Sequence, residues 1–332
     1  MAGHRFFMND PDNFVVEAAQ GLALTNPDLV IHESPLFIRR RTILQDKVAL
    51  VSGGGTGHEP LHAGFVGDGM LDAAVPGAVF ASPTAIQVSA ATKSVDAGAG
   101  VLHIVKNYTG DVLNFKIAAE LAADEGVEVA SVLVDDDVAT DIEGSRVGRR
   151  GTGSTLIVEK VCGAAARRGD SLHDVAELGR KVVANSRSIA LALDACTHPM
   201  TGKKSFELDT GEVEFGVGIH GERGRGRIVF DTADALTDEL LDALVPAMNI
   251  GSDSQVIAFV NGLGATQLTE QYVVTRAVHD SLQKRGIKVS RFLTGSYVTA
   301  LNMSGISITL TNADKELLDL WDAPVSTSSL RW

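Results

Sequence analysis

Four glycines, a threonine, a histidine and a glutamate fall together in Ser52-Gly53-Gly54-Gly55-Thr56-Gly57-His58-Glu59-Pro60. They follow the apolar run Val48-Ala49-Leu50-Val51, which reads as a buried parallel strand. The run does not fit the nucleotide loops: a P-loop needs Lys and then Ser or Thr after its last glycine, and a dinucleotide fingerprint needs a third glycine where His58 stands. A glycine stretch with φ values that other residues avoid, ending in a histidine, suits a small polar molecule held against backbone N–H groups beside an acid/base group. The competing reading is a tight strand-to-helix turn with no chemistry.

Further polar clusters recur where apolar strands end: Lys106-Asn107-Tyr108-Thr109-Gly110-Asp111, then Asp135-Asp136-Asp137, and later His220 and Asn261-Gly262-Leu263-Gly264. Open α/β sheets bind ligands at the carboxyl ends of their strands, so these loops are candidates for one crevice. Each has an ordinary alternative. Asp111 opens a helix and could simply cap it; Lys106 could be a solvated loop lysine. Three successive Asp could hold Mg²⁺, or form a polar turn or a pair of caps. His220, between glycines in an apolar strand, could be a satisfied core histidine. Arg223, Arg225 and Arg227 alternate with glycine and read as an unstructured solvated loop, with contact to phosphates as the alternative, and the charge run Arg39-Arg40-Arg41 reads as a solvated face. His32, His62, His103, His198 and His279 have no partner at metal-ligand spacing, so no zinc site is expected.

The elements that must position these residues follow from periodicity. Helical spacing marks residues 12–24, and Ser82-Pro83 starts a second helix ending at Gly98 and Gly100. A short helix is expected from Pro60. Strands are predicted at 73–75, 101–105 and 127–134, with a helix from about Asp111 carrying Leu113, Ile117 and Leu121 on one face. Residues 146–153 read as a loop, and helical patterns cover 155–168 and 171–193. Beyond a change of character near Asp194, a helix at 237–248, a strand at 256–260, a helix at 268–285 and strands at 288–293 and 306–310 complete a second α/β unit. The expected fold is therefore two α/β domains, 1–190 and 191–332, with largely parallel or mixed sheets flanked by helices and an active site in the crevice between them. The last residues could pack back on the first domain.

The totals agree with an α/β enzyme. At 332 residues the chain exceeds the usual single core, and 45% hydrophobic residues with 34 Gly and 5% aromatics describe an Ala/Val/Gly-rich protein. A net charge of −13 argues against nucleic acid and anionic membranes as general partners. Cys162 and Cys196 form no CxxC pair and read as buried thiols in a reducing compartment. With no secretion signal at residues 1–8 and no run long enough to span a bilayer, a soluble cytoplasmic protein is expected.

Nearly end to end, the chain resembles the K-subunit family of dihydroxyacetone kinases. The resemblance rests on Ser52 to Pro60, His62-Ala63-Gly64-Phe65, Lys106 to Phe115 and Val134 to Val138. It extends over Gly148-Arg149-Arg150-Gly151, Glu214 to Glu222 and Leu320-Trp321-Asp322-Ala323-Pro324-Val325. It implies that His220 holds the ketose as a hemiaminal on its Nε2. It also implies that Gly55, Thr56, Gly57, His58, Lys106 and Asp111 surround the ketose, with His58 as acid/base residue and Asp111 on the hydroxyl to be phosphorylated. No nucleotide site is legible in the chain. The resemblance assigns the Mg-nucleotide to a separate L subunit, so the Asp135–Asp137 run is not given the metal. It leaves open whether the phosphoryl group comes from ATP or, through a phosphocarrier M subunit, from phosphoenolpyruvate. It further implies a homodimer. Two alternatives stay open: a non-catalytic dihydroxyacetone sensor partnering a transcription regulator, and a kinase subunit for a four-carbon ketose such as erythrulose. Sensors of this kind keep the capture histidine but lose acid/base residues, whereas this chain retains both His58 and Asp111.

Overall fold

A computed structural model describes residues 6–141, 147–248, 250 and 254–332. The expected loop at 146–153 therefore lies within them except for Arg146, and of the N-terminal stretch 1–8 only 6–8 are described. In chain order the elements are α1 (Phe14–Thr25), β1 (Leu29–Glu33), β2 (Leu36–Arg40), β3 (Ala49–Thr56), β4 (Gly67–Asp68), β5 (Ala73–Val79), α2 (Ala85–Val95), β6 (Val101–Lys106), α3 (Thr109–Ala123) and β7 (Val129–Val134). There follow α4 (Ser154–Arg168), α5 (Leu172–Ala184), β8 (Ser186–Asp194), β9 (Glu212–Phe215), β10 (Gly226–Val229), α6 (Ala233–Leu244), β11 (Gln255–Gly262) and α7 (Leu268–Lys284). The last are β12 (Lys288–Gly295), β13 (Ser304–Asn312), α8 (Lys315–Asp322) and β14 (Ser326–Thr327).

The chain divides into two compact units, each drawing on separated stretches: 8–134, 155–182 and 316–332 in the first, and 1–7, 135–154 and 183–315 in the second. Both are mixed α/β. In the first, the sheet order is β1-β2-β5-β3-β6-β7. Strands β5, β3, β6 and β7 are parallel, and the β1–β2 hairpin joins antiparallel through β5. Val51, Val75, Val105, Val88, Val95 and Phe115 pack between strands and helices as its core. In the second, the order is β10-β9-β8-β13-β11-β12, with only β11–β12 parallel. Its core joins Ile189, Leu191, Val256, Val260, Ile308 and Leu310 of the sheet to Leu240 and Leu244 of α6.

Several local expectations are corrected. The β1–β2 hairpin carries Arg39 and Arg40, which are not a solvated face: Arg40 pairs with Asp72 at 3.4 Å and Arg39 donates to His32 Nε2 at 3.2 Å. No α-helix starts at Pro60; the chain makes a turn and one 3₁₀ turn at Ala63–Phe65. Helix α2 is capped by Thr84 in a reciprocal box with Gln87, two residues later than Ser82. The helical pattern at 171–193 breaks at 184, and its second part is β8, in the middle of the second sheet. Ile189, Leu191 and their neighbours are buried on both faces, and a short apolar run of that kind has no period to distinguish strand from helix. Finally, α3 turns Phe115, Ala118 and Ala122 inward, leaving Leu113 55% exposed with Ile117 and Leu121 also exposed. Among the described residues, no helix is long and apolar enough to cross a membrane.

Candidate functional site

In the first unit the site is built on β3. The glycines Gly53 to Gly55 lie inside this strand, which runs buried to Thr56, so the expected loop begins later than the sequence indicates. Their φ values are not left-handed; space is what demands glycine. A Cβ on Gly53 would stand 2.5 Å from Val75 O, and one on Gly55 2.6 Å from Ala81 N. A Cβ on Gly54 would stand 2.3 Å from Lys106 Nζ. Only Gly57, at φ 113°, needs its conformational freedom. Its N–H donates to Glu59 Oε2 at 2.9 Å, while the Thr56 hydroxyl donates to Gly77 O at 2.8 Å. His58 follows, fully buried and stacked on Phe80 with ring centroids 5.3 Å apart. Phe80 itself sits at φ 57°, a conformation that costs a non-glycine residue about 1–2 kcal/mol and here is fixed by its N–H bond to Thr56 O.

Behind the glycine strand lies a line of four titratable groups. Lys106, the last residue of β6, is not a solvated loop lysine: it is 1% exposed. Its ammonium donates to His62 Nε2 at 2.7 Å and Gly53 O at 3.3 Å, and stands 3.9 Å from Asp111 Oδ2. Asp111 is in the first turn of α3, where the helix N-terminus favours an anion, but it is also buried, and no donor reaches its Oδ1 among the described residues. On the far side, His62 Nδ1 meets Glu159 Oε1 of α4 at 2.6 Å. Burial, followed by the charge of Lys106 and then His58, holds the His62 imidazole neutral by pushing its pKa well down. Burial likewise lowers the Lys106 pKa, opposed by Asp111 and Glu159. It raises that of Glu159 to about 8, against the pull of Lys106.

In the second unit the candidate residue is His220. It lies in a turn after β9, not in an apolar strand. Glu222 holds it from both sides: the His220 backbone N–H donates to Oε2 at 2.9 Å and ring Nδ1 meets Oε1 at 3.0 Å. Burial would raise the Glu222 pKa, but His220 and Arg150 outweigh it and bring it down to about 2. A fixed carboxylate can only accept, so Nδ1 carries the proton and the lone pair of the neutral ring sits on Nε2. Gly218 must be glycine here because its Cβ would overlap Glu222 Oε2. Arg150 anchors the turn by pairing with Asp137 at 2.7 Å and donating to Gly216 O at 2.8 Å.

The three aspartates act as caps and anchors, as the turn-and-cap alternative has it. Asp135 pairs with Arg149 at 3.1 Å, and Asp137 accepts from Ala139 N. Asp136 is fully buried and accepts from the N–H and hydroxyl of Thr152, the N–H of Ser154 and the hydroxyl of Ser188. Asn261 is a buried strap, donating to Val298 O and accepting from the N–H groups of Tyr297 and Val298. Two of the arginines after Glu222 are held rather than unstructured: Arg225 donates to Val138 O, and Arg227 pairs with Glu212 at 2.9 Å across the β9–β10 hairpin. Among the described residues, no group of three or more His, Cys, Asp or Glu is arranged to hold a metal.

Sequence reasoning missed Glu159, His62, Glu222 and Arg150 as parts of these sites. His62 and Glu159 are 97 positions apart, which no spacing rule reaches. Glu222 was within reach: a carboxylate two residues after a glycine-flanked histidine can fold back on its ring.

A profile for the Dak1 domain matches residues 20–329. The chain is 45% identical to the dihydroxyacetone-binding subunit DhaK of the PEP-dependent dihydroxyacetone kinase of Escherichia coli, covering 98% of each. The dihydroxyacetone kinase of C. freundii superposes with a TM-score of 0.92 at 34% identity, over 98% of this chain and 60% of that one, so this chain spans somewhat over half of that kinase. The dihydroxyacetone kinase operon co-activator Dha-DhaQ superposes with a TM-score of 0.90 at 33% identity, over 94% of this chain and 97% of the co-activator.

Proposed function

This chain belongs to the Dak1 domain family, and from that premise we propose that it is the ketose-binding subunit of a dihydroxyacetone kinase, a phosphotransferase with an alcohol acceptor. The observation that supports it most is the grip of Glu222 on His220, which places the ring's lone pair on Nε2. That nitrogen adds to the ketone carbon, forming an N–C bond as the C=O π bond opens, and the resulting alkoxide takes a proton from solvent. Nε2 then has no second proton to lose, so the adduct stops at the hemiaminal. Glycerol, having no carbonyl, is not captured. The Glu222 carboxylate stabilises the positive charge that N-alkylation brings to the ring.

To Asp111 we assign the proton of the ketose hydroxyl, and to His58 a share in that acid–base step. Gly55, Thr56, Gly57 and Lys106 are assigned to surround and orient the ketose. In this reading the phosphoryl group arrives on a magnesium nucleotide held by a separate L subunit, whether recharged from ATP or from phosphoenolpyruvate through an M subunit. The protein acts in the cytoplasm as a homodimer.

The test is turnover of dihydroxyacetone to its phosphate by the purified chain with an L subunit and a phosphoryl donor. Wild-type protein should also gain the mass of one ketose, and His220→Ala should lose both properties. Normal turnover by His220→Ala would overturn covalent capture. The likeness to the co-activator favours one second reading, a dihydroxyacetone sensor. Ketose capture without turnover in the same assay selects that reading, and a higher rate on erythrulose selects the four-carbon substrate.

A further inference from the structure

We propose that Lys106, His62 and Glu159 form a buried proton relay that answers the protonation of Asp111. This rests on the reading above, in which Asp111 takes the proton of the reacting hydroxyl.

Asp111 faces Lys106 as an ion pair at 3.9 Å, and hydrogen bonds of 2.7 and 2.6 Å carry the line on through His62 to Glu159; every member is almost completely buried. It has two arrangements with the same number of protons. In the first, Lys106 is an ammonium donating to His62 Nε2, and His62 Nδ1–H donates to the Glu159 carboxylate. In the second, Lys106 is an amine accepting from His62 Nε2–H, and His62 Nδ1 accepts from the Glu159 carboxylic acid. The two interconvert by moving one proton from Lys106 Nζ to His62 Nε2 and one from His62 Nδ1 to Glu159 Oε1. Neither heavy atoms nor ring need turn.

The balance between them depends on Asp111. While Asp111 is a carboxylate, its charge holds the proton on Lys106. When it has taken the hydroxyl proton it is neutral, and the buried ammonium is left with only the more distant Glu159 carboxylate as counter-charge, which is costly. Passing that proton to Glu159 leaves Asp111, Lys106, His62 and Glu159 all uncharged. Glu159 is suited to receive it: burial raises its pKa against Lys106 and the nearby Ser52, and because the Ser52 hydroxyl donates to Ile104 O at 2.7 Å, no donor reaches Oε2 among the described residues. The other titratable groups facing the line are His58, whose charge bears on His62, and Cys162, one turn along α4 from Glu159. Burial raises the Cys162 pKa, so it stays a thiol, pointing at Val175 O.

The ring tautomer of His62 reads the relay directly, without turnover. In protein labelled with ¹⁵N-histidine, wild type should show His62 with Nδ1–H and a bare Nε2, and Asp111→Asn, which mimics the protonated acid, should show Nε2–H. Glu159→Gln, which cannot take the proton, should keep the first tautomer even when combined with Asp111→Asn. With the L subunit and donor, Glu159→Gln should lower kcat about tenfold or more and flatten one limb of its pH profile, with KM within about twofold. A His62 tautomer indifferent to Asp111→Asn, or a folded Glu159→Gln with the wild-type kcat and pH profile, would overturn the relay. Wild-type turnover by Asp111→Asn would instead overturn the role given to Asp111, and the tautomer measurement would still decide the relay.

Discussion

The carboxylate of Glu222 accepts twice from His220, once from its backbone N–H at 2.9 Å and once from ring Nδ1 at 3.0 Å. One residue thereby fixes the position, rotation and tautomer of another. Gly218 leaves room for that carboxylate, and the charge of Arg150 helps to keep it ionised.

Glu222→Gln should abolish this without removing His220. The His220 backbone N–H still needs an acceptor and takes the amide oxygen, so the amide NH₂ faces Nδ1 and donates to it. The ring proton is forced onto Nε2, and the nucleophilic lone pair is lost. Ketose adduct formation, followed by intact mass, should fall by about 100-fold or more, as wrong-tautomer histidines do. Adduct formation at the wild-type level would show that Nε2 is not the capturing atom.

Gly54→Ala tests the packing of Lys106. The new Cβ would meet Nζ at 2.3 Å and His62 Nε2 at 3.4 Å, so the ammonium must leave its place between them. Stability should drop by about 1–3 kcal/mol in urea titrations, and turnover with the L subunit should fall more steeply than stability. Gly21 in α1 has nothing within 4 Å of an added Cβ, so Gly21→Ala should be neutral or stabilise by up to about 1 kcal/mol. Equal effects from the two substitutions would mean that the close approach at Gly54 carries no weight.

His103 should make the fold acid-sensitive. The Thr92 hydroxyl donates to Val88 O, so it can only accept from His103 Nε2–H, and Nδ1 is left with no partner among the described residues. Burial lowers the His103 pKa to about 3. The unfolded state binds the proton first, near pH 6.5, so the stability is complete above that value and is lost as pH falls towards 3. At most it amounts to roughly 5 kcal/mol. In urea titrations between pH 4 and 7, His103→Gln should show a shallower loss of stability on acidification than wild type, with His62, His32 and Glu222 among the groups that supply the remaining slope. An unchanged slope would exclude His103 as the group responsible.

The alternation of apolar runs and polar turns made the α/β class and most helices and strands legible, because burial of one face imposes its period on the sequence. It failed where that cause is absent. Strand β8 is buried on both faces and shows no period, and α3 carries Leu113, Ile117 and Leu121 on an outer face. The glycine run at Gly53 to Gly55 was recognisable as a site signal for a reason other than the one first apparent: it admits Val75, Lys106 and the Phe80–Ala81 turn rather than adopting unusual φ values.

For the glycine strand, what the sequence by itself determined is therefore the presence of a place without side chains, and of His58, Lys106 and Asp111 near it in order. What fills that place, only the tertiary structure decided. Side-chain identity and local spacing are properties of the chain, whereas a buried proton's location depends on which partners folding brings within 3 Å. Lys106 became a desolvated cation, His62 a bridge and Glu159 a raised acid only because β6, the turn after β3 and α4 meet in one dry interior.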